Sequence, residues 1–460
     1  MRLAEGVGDR ARRLVMRRAL AASLYPTPHA ELRRPLWRKL LTPTLAVVVG
    51  TAAQVIRLTG TKVFNTVWAE DGTIFLRDAL GKPAQHAVFH TYAGYLHLVP
   101  RTIAEVARAV PIDDAAIVMG GGAALVIAVL AVVVFRASRD VIASTPLRLV
   151  LAASMIVLPA TARETLDNTA NLHWYLIFAA FWVLLWRPAS RTERFVGCVV
   201  LVSAALSDPL TLVLAPLALA RWVTLPHRGE RAFTVTYAAA MAVQLGFALL
   251  AEANPVHLAP NVGDLAKVYG LRVAAASLLG DPFTNRLFLT LGWALAWIGG
   301  AAVLAVVVFG LRRWNGRRAV VALAVFTSSA VFLIPMILRW EDSIISTRGS
   351  DTLGGGSRYM VVPVLLLIGA FVVIADHAGQ RWRQAPVASV VAIALAFTWG
   401  QGFLVRNERS LGPLWSTVVA HARTECTSGV ENVTVPISPQ SPPGKWVVPI
   451  PCARLLSSGS

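Results

Sequence analysis

The chain has 460 residues, 56% of them apolar and only 15% charged, with a mean hydropathy of +0.60. Ordinary soluble proteins carry about 25% charged residues, so the composition excludes that class and predicts an all-α polytopic membrane protein; the alternating segments of a membrane β-barrel are not seen. The net charge of +18 sits mainly on arginines in short connections between apolar stretches, which makes it a topology signal and not the mark of a nucleic-acid binder.

Residues 1–41 are basic, with Arg2, Arg10, Arg12, Arg13, Arg17, Arg18, Arg33, Arg34, Arg38 and Lys39, and predict a cytoplasmic N-terminus. Arginines interrupt the apolar run Val15 to Leu24, so no cleavable signal peptide is expected and the first span acts as an anchor. About eleven transmembrane helices are predicted across 42–404: Thr42 to Leu58, Ala115 to Phe135, Leu147 to Ala162, Trp174 to Trp186, Phe195 to Leu206, Leu210 to Trp222, Phe233 to Leu250, Leu287 to Leu311, Ala319 to Leu338, Tyr359 to Ala375 and Pro386 to Leu404. Arginine clusters at Arg136, Arg139 and Arg148, at Arg187, Arg191 and Arg194, at Arg221, Arg228 and Arg231, at Arg312, Arg313, Arg317 and Arg318, and at Arg381 and Arg383 mark the cytoplasmic connections. An odd span count leaves residues 405–460 outside as a small extracytoplasmic tail. There Val433 to Pro436 and Lys445 to Pro451 read as short strands, and Cys426 and Cys452 are expected to pair if the tail lies in an oxidising compartment. Arginine far outnumbers lysine, and alanine and valine dominate, as in a GC-rich bacterial genome; with the predicted spans, the expected location is a bacterial inner (plasma) membrane.

The outward segments carry the chemistry. Thr59 to Asp114 predicts two interfacial helices: Phe75, Leu76, Ala79 and Leu80 form one apolar face; Leu96, Val99, Ile103, Val106 and Val110 form another, with Arg101, Glu105 and Arg108 opposed. Just after the first span, Trp68-Ala69-Glu70-Asp71-Gly72 sets two carboxylates side by side, suited to a general base or to a divalent cation; Asp71 as a helix N-cap is the plainer alternative. Tyr92 to Arg101 offers Tyr92, Tyr95, His97 and Arg101, an aromatic surface with a phosphate-pairing charge, against the alternative of an aromatic belt with a snorkelling arginine. His86, His90 and His97 have a loose metal-like spacing without a supporting acid, and no metal site is assigned.

Arg163 to Trp174 is denser in hydrogen-bonding side chains than a turn requires. Its Asp167, Asn171 and His173 suit sugar hydroxyls, with Trp174 to stack on a sugar face; a loop that only caps helices is the competing account. Asp208 falls at a helix break before Pro209, where it is either a functional acid or a hairpin cap. Arg358-Tyr359, after Gly354-Gly355-Gly356, has the makings of a mobile phosphate clamp. There is no Walker loop, dinucleotide fingerprint, serine-hydrolase elbow or zinc-protease helix, so cytoplasmic ATP has no visible port.

An acid pair in the first outer loop, followed by interfacial helices on a many-spanning helical core, resembles the GT-C superfamily of integral membrane glycosyltransferases. The resemblance implies transfer of a sugar from a polyprenyl-phosphate donor to a cell-envelope glycan or lipid acceptor on the extracytoplasmic side, by inverting single displacement. It implies Asp71 or Glu70 as general base, with the family pattern favouring Asp71. Arg101, Arg163 or Arg358 would neutralise the departing phosphate, and His97, Asp167, Asn171, His173, Trp174, Tyr359 and Asp208 would contact sugar or acceptor. The cofactor is open, Mg or Ca being possible. A lipid or polysaccharide flippase and a non-catalytic cell-envelope assembly protein are the alternatives. No internal repeat is visible to support a transporter.

Overall fold

The structure, a computed structural model, describes residues 15–25, 36–158, 162–225, 227–251, 261–313, 317–340, 356–381, 396, 400, 402–427, 429–440 and 442–457. These are mostly helical. Among the described residues, five helices are long and apolar enough to cross a membrane: Ile112–Asp140, Gly229–Leu250, Ala294–Arg312, Arg318–Leu338 and Ser357–Ala378. Shorter apolar helices run through Leu41–Arg57, Thr145–Val157, Leu172–Leu185 and Pro209–Thr224. The predicted span Pro386 to Leu404 lies almost wholly outside the described residues.

The elements used below are α1 (Leu36–Arg57), α2 (Leu98–Ala109), α3 (Gly122–Ala137), α4 (Thr145–Val157), α5 (Leu172–Leu185), α6 (Arg191–Ala205), α7 (Ala215–Thr224), α8 (Arg228–Leu250), α9 (Ala294–Arg313), α10 (Arg318–Leu338), α11 (Val361–Arg381), α12 (Trp415–Glu425), β1 (Asn432–Pro436) and β2 (Val447–Pro451). Every residue of α5 is buried. A helix apolar on all sides belongs in a protein interior, and α5 is ringed by α3, α6, α7 and α11. The span containing α11 is 83% buried, whereas the one containing α8 is only 28% buried and forms the rim. Leu45, Val48 and Val49 of α1 and Leu304 and Phe309 of α9 point outward, as lipid-facing side chains should.

Glycines set the close helix contacts. A methyl group on Gly270 would come within 2.3 Å of the Ala296 carbonyl, and one on Gly299 within 2.7 Å of Ala275 Cβ, so α9 lies directly against the helical segment 262–279. The connection between the predicted spans Phe233 to Leu250 and Leu287 to Leu311 is helical in its described part, from Val262 to Leu279. The predicted span Leu287 to Leu311 is likewise two helices. Gly292, at φ +57°, separates Asp281–Leu291 from α9.

One end of the bundle gathers the connections 58–111, 162–171, 206–209 and 356–360 with the tail. Leu98 N donates to Leu206 O, Val99 N to the Ser207 hydroxyl, and Thr59 N to Val405 O. The tail is built into this end: Gly72 packs on Ile437, Val448 and Val67, and Trp415 Nε1 donates to Ile112 O. β1 and β2 form an antiparallel pair, and a disulfide joins Cys426 to Cys452 at the end of α12. The opposite end holds ion pairs between the inter-helix arginines and acids, Arg139–Glu193 and Arg187–Glu230.

In the first connection, a wide π-helical turn, Asp71–Leu76, leads into helix Arg77–Gly81, followed by Ala84–Phe89 and then α2. The buried face of α2 differs from the one expected. Arg101 is 2% exposed and Val106 is 52% exposed, because Arg101 turns inward to the carboxylate of Asp78 and the carbonyl of Ala87.

Candidate functional site

The turn bearing the acid pair is strained and pinned. Ala69, immediately before Glu70, sits at φ +32°, a region that costs a non-glycine residue about 1–3 kcal/mol and that clusters at functional sites. The tail holds it there, with Ala69 N donating to Ser438 O and Ser438 N to Val67 O. The two acids then diverge. Asp71 is 1% exposed, and its carboxylate accepts the Thr169 hydroxyl at 2.6 Å, Ala170 N at 2.8 Å and Thr169 N at 3.0 Å. Burial pushes it up to about 6, against the pull of those donors and of Arg409. Glu70 is only half-buried and lies within electrostatic reach of Tyr92 and Arg358.

Arg409 holds the next layer. It is buried, donates Nε to the Thr66 hydroxyl at 2.8 Å, Nη1 to Asp167 O at 2.6 Å and Nη2 to Thr66 O at 3.1 Å, and faces both Asp71 and Asp167. Asp167 takes φ +50°, and burial pushes its carboxyl up to about 7, with Arg409 and Arg57 opposing. Its carboxylate oxygens make no hydrogen bond among the described residues. Asp167 is part of a buried charge cluster with Arg57 and Arg409.

Glu164 joins two distant connections. Its carboxylate accepts Gly356 N at 3.0 Å and Arg358 N at 3.3 Å, and Arg358 Nη1 stands 3.8 Å away. Gly356 adopts φ +71°, which only the last glycine of the predicted hinge can supply cheaply; Gly354 and Gly355 lie outside the described residues. Arg358 Nη2 reaches the Tyr359 hydroxyl at 3.5 Å, and its guanidinium lies over that ring.

Below this partly open rim lies a floor of rings. Tyr95 stacks on His97 at 4.3 Å; His97 meets His173 edge-on at 6.2 Å; His173 meets Trp174 at 4.4 Å, and Trp174 meets Tyr359 at 5.7 Å. His173 Nε2 is 3.5 Å from Asp208 Oδ2, while Asp208 Oδ1 accepts Leu210 N at 2.7 Å, so Asp208 both caps its hairpin and pairs with His173. Burial holds the His97 imidazole well below its ordinary value, and nearby His173 and Arg101 add to the effect. It is a neutral ring here.

Of the residues singled out in the sequence, Glu70, Tyr92, His97, His173, Trp174, Asp208, Arg358 and Tyr359 form one cluster. Asn171 is instead used inside its loop: its Nδ2 donates to Glu164 O at 3.2 Å and its Oδ1 accepts Trp174 Nε1 at 3.2 Å. Arg101 is committed to Asp78, under the ring of Phe75. Only the backbone of Arg163 is described, in the short helix Ala162–Thr165. Sequence reasoning missed Arg409 and Glu164. A lone arginine in a polar tail carries no signal, while Glu164 stood inside a segment whose other residues drew the attention. Among the described residues, no group of three or more His, Cys, Asp or Glu side chains is placed to hold a metal ion. No protein-family model matches the chain, and no curated protein or solved structure does.

Proposed function

We propose that the protein is a membrane glycosyltransferase whose site lies at the loop end of the bundle, with Glu70 as general base and Arg358 as the charge that receives the donor phosphate. The observation that carries this reading is the meeting of a half-buried carboxylate and an arginine across an aromatic floor, at the level where connections leave the helices. In the transfer, Glu70 takes the proton of the acceptor hydroxyl as its oxygen bonds to the anomeric carbon. The anomeric carbon–oxygen bond breaks, and the phosphate leaves with the electron pair toward Arg358. Attack opposite the leaving group inverts the anomeric centre.

Asp71 is the positioning acid in this reading, because three donors already engage its carboxylate. The loop end is taken as extracytoplasmic on two grounds: the Cys426–Cys452 disulfide fits an oxidising compartment, and inter-helix arginines lie at the other end. The shorter apolar helices complete the set of membrane crossings, their ends covered by the first connection and the tail. A polyprenyl tail stays in lipid along the bundle rim while its phosphate and sugar enter between Arg358 and Glu70.

One observation favours a second reading. His173 and Asp208 are a buried ionisable pair, and such pairs mark proton-coupled pathways in transporters. Membranes containing the protein, supplied with labelled polyprenyl-phosphate sugars, separate the two: a glycosyltransferase gives a new labelled glycoside, whereas a flippase moves the label across the bilayer unchanged.

A further inference from the structure

A second cluster of charge lies at the rim, outside the site described above. Asp78, 2% exposed, is met by Arg101 Nη1 at 3.0 Å, Lys82 Nζ at 3.0 Å, His90 Nδ1 at 2.9 Å and Arg77 Nη2 at 3.8 Å. Burial pushes its carboxyl up, but hydrogen bonds from His90, Lys82 and Arg101 outweigh that and hold it below the ordinary carboxylate value. One carboxylate thus faces three permanent cations and a histidine, leaving a local surplus of positive charge. Arg101 is sealed in, but Arg77, Lys82 and His90 are a third to a half exposed.

What lies beside the cluster is apolar and turned outward. Phe89, 52% exposed, ends the short surface helix Ala84–Phe89 and stacks on Phe247 of α8 with ring centroids 6.5 Å apart. Leu249 and Leu250 finish α8 almost fully exposed, on the least buried of the five long apolar helices. A cationic surplus beside an outward apolar rim is complementary to a lipid: phosphate above, acyl chain alongside.

We propose that Arg77, Lys82 and His90, held around Asp78, bind the phosphate headgroup of an anionic membrane lipid whose acyl chain runs over Phe89 and Phe247. The site does not depend on the catalytic reading. Asp78 keeps the three side chains together and orients Lys82 and His90, while the surplus charge draws the phosphate.

The test reconstitutes the full chain in nanodiscs of phosphatidylcholine containing a minor fraction of phosphatidylglycerol and measures the lipid retained per protein by native mass spectrometry. The double variant Arg77→Gln/Lys82→Gln is expected to retain about 25-fold less phosphatidylglycerol, at about fivefold per cation removed. Phosphatidylcholine retention stays unchanged, and the melting temperature falls only slightly because Arg101 and His90 still engage Asp78. Lys62→Gln, an exposed lysine elsewhere on the same connection, leaves both lipids at wild-type levels. Equal phosphatidylglycerol retention in wild type and double variant overturns the proposal. So does a parallel fall of both lipids, which marks general lipid contact, or full displacement by millimolar inorganic phosphate, which marks a site for the free anion.

Discussion

Thr169 donates its hydroxyl to Asp71 at 2.6 Å, joining residues 98 apart in the chain. That bond ties the strained turn after α1 to the connection before α5. Its removal in Thr169→Val leaves the buried carboxylate with its two backbone donors. The loss of a charge-assisted hydrogen bond is expected to cost about 1.5–3 kcal/mol, read as a lower melting temperature in detergent, while Thr169→Ser retains most of the wild-type value.

The pH dependence of stability follows from the same carboxylate. Burial raises folded Asp71 from 3.8 to about 6, so between those values the folded state holds the proton more tightly than the unfolded chain. Its contribution is full below about pH 4 and is lost as pH rises to about 6. Asp167, raised to about 7, acts in the same direction over a wider window. The stability advantage of wild type over Asp71→Asn therefore shrinks on going from pH 4 to pH 7, by roughly 3 kcal/mol at most for a shift of this size. Melting temperatures of the two proteins across that range measure it, and an advantage that grows with pH would contradict the buried placement.

Arg409 compensates Asp71 and Asp167 and satisfies the Thr66 and Asp167 carbonyls. Its loss leaves buried Asp71 without its compensating cation and Asp167 with Arg57 alone, and Arg409→Ala is expected to cost about 3–5 kcal/mol. Arg409→Lys keeps the charge but not the fork, and falls between the two. Thermal unfolding followed by tryptophan fluorescence ranks the three.

Contact between tail and first connection is tested at Gly72, where an added methyl group would meet Ile437 Cδ1 at 2.5 Å and Val448 Cγ2 at 2.7 Å. Gly72→Ala is expected to destabilise by about 1–3 kcal/mol through overpacking. Reduction of Cys426–Cys452, which closes a loop across 26 positions, releases about 3 kcal/mol more. Limited proteolysis of the tail after each treatment reads the loosening directly.

Much of the architecture is legible in the sequence because apolar length is a direct physical requirement of crossing a bilayer. Ala115 to Phe135, Ala319 to Leu338 and Tyr359 to Ala375 all fall within long apolar helices. Breaks were harder to read. The positive-φ turn at Gly292 depends on the backbone of one residue, and a glycine among apolar residues does not announce it. The same holds for the face of α2: apolar periodicity put Arg101 outward, and only its pairing with Asp78, 23 residues earlier, brings it in. At the site, residue type marked Glu70, His173 and Arg358 as chemical groups. It could not separate Asn171, which serves its own loop, or Asp167, which serves Arg409, since polar density looks the same whether it faces a ligand or the backbone.

In the proposed transfer Glu70 takes the proton of the acceptor. The most direct measurement is product formation from a panel of labelled polyprenyl-phosphate sugars by wild-type protein, Glu70→Gln and Asp71→Asn at matched folded concentration. Glu70→Gln is expected to lose about 10²-fold or more with its melting temperature unchanged, and Asp71→Asn to show a smaller loss that accompanies its altered stability. Wild-type turnover in Glu70→Gln would contradict this role, as would no labelled glycoside from wild type with any donor in the panel.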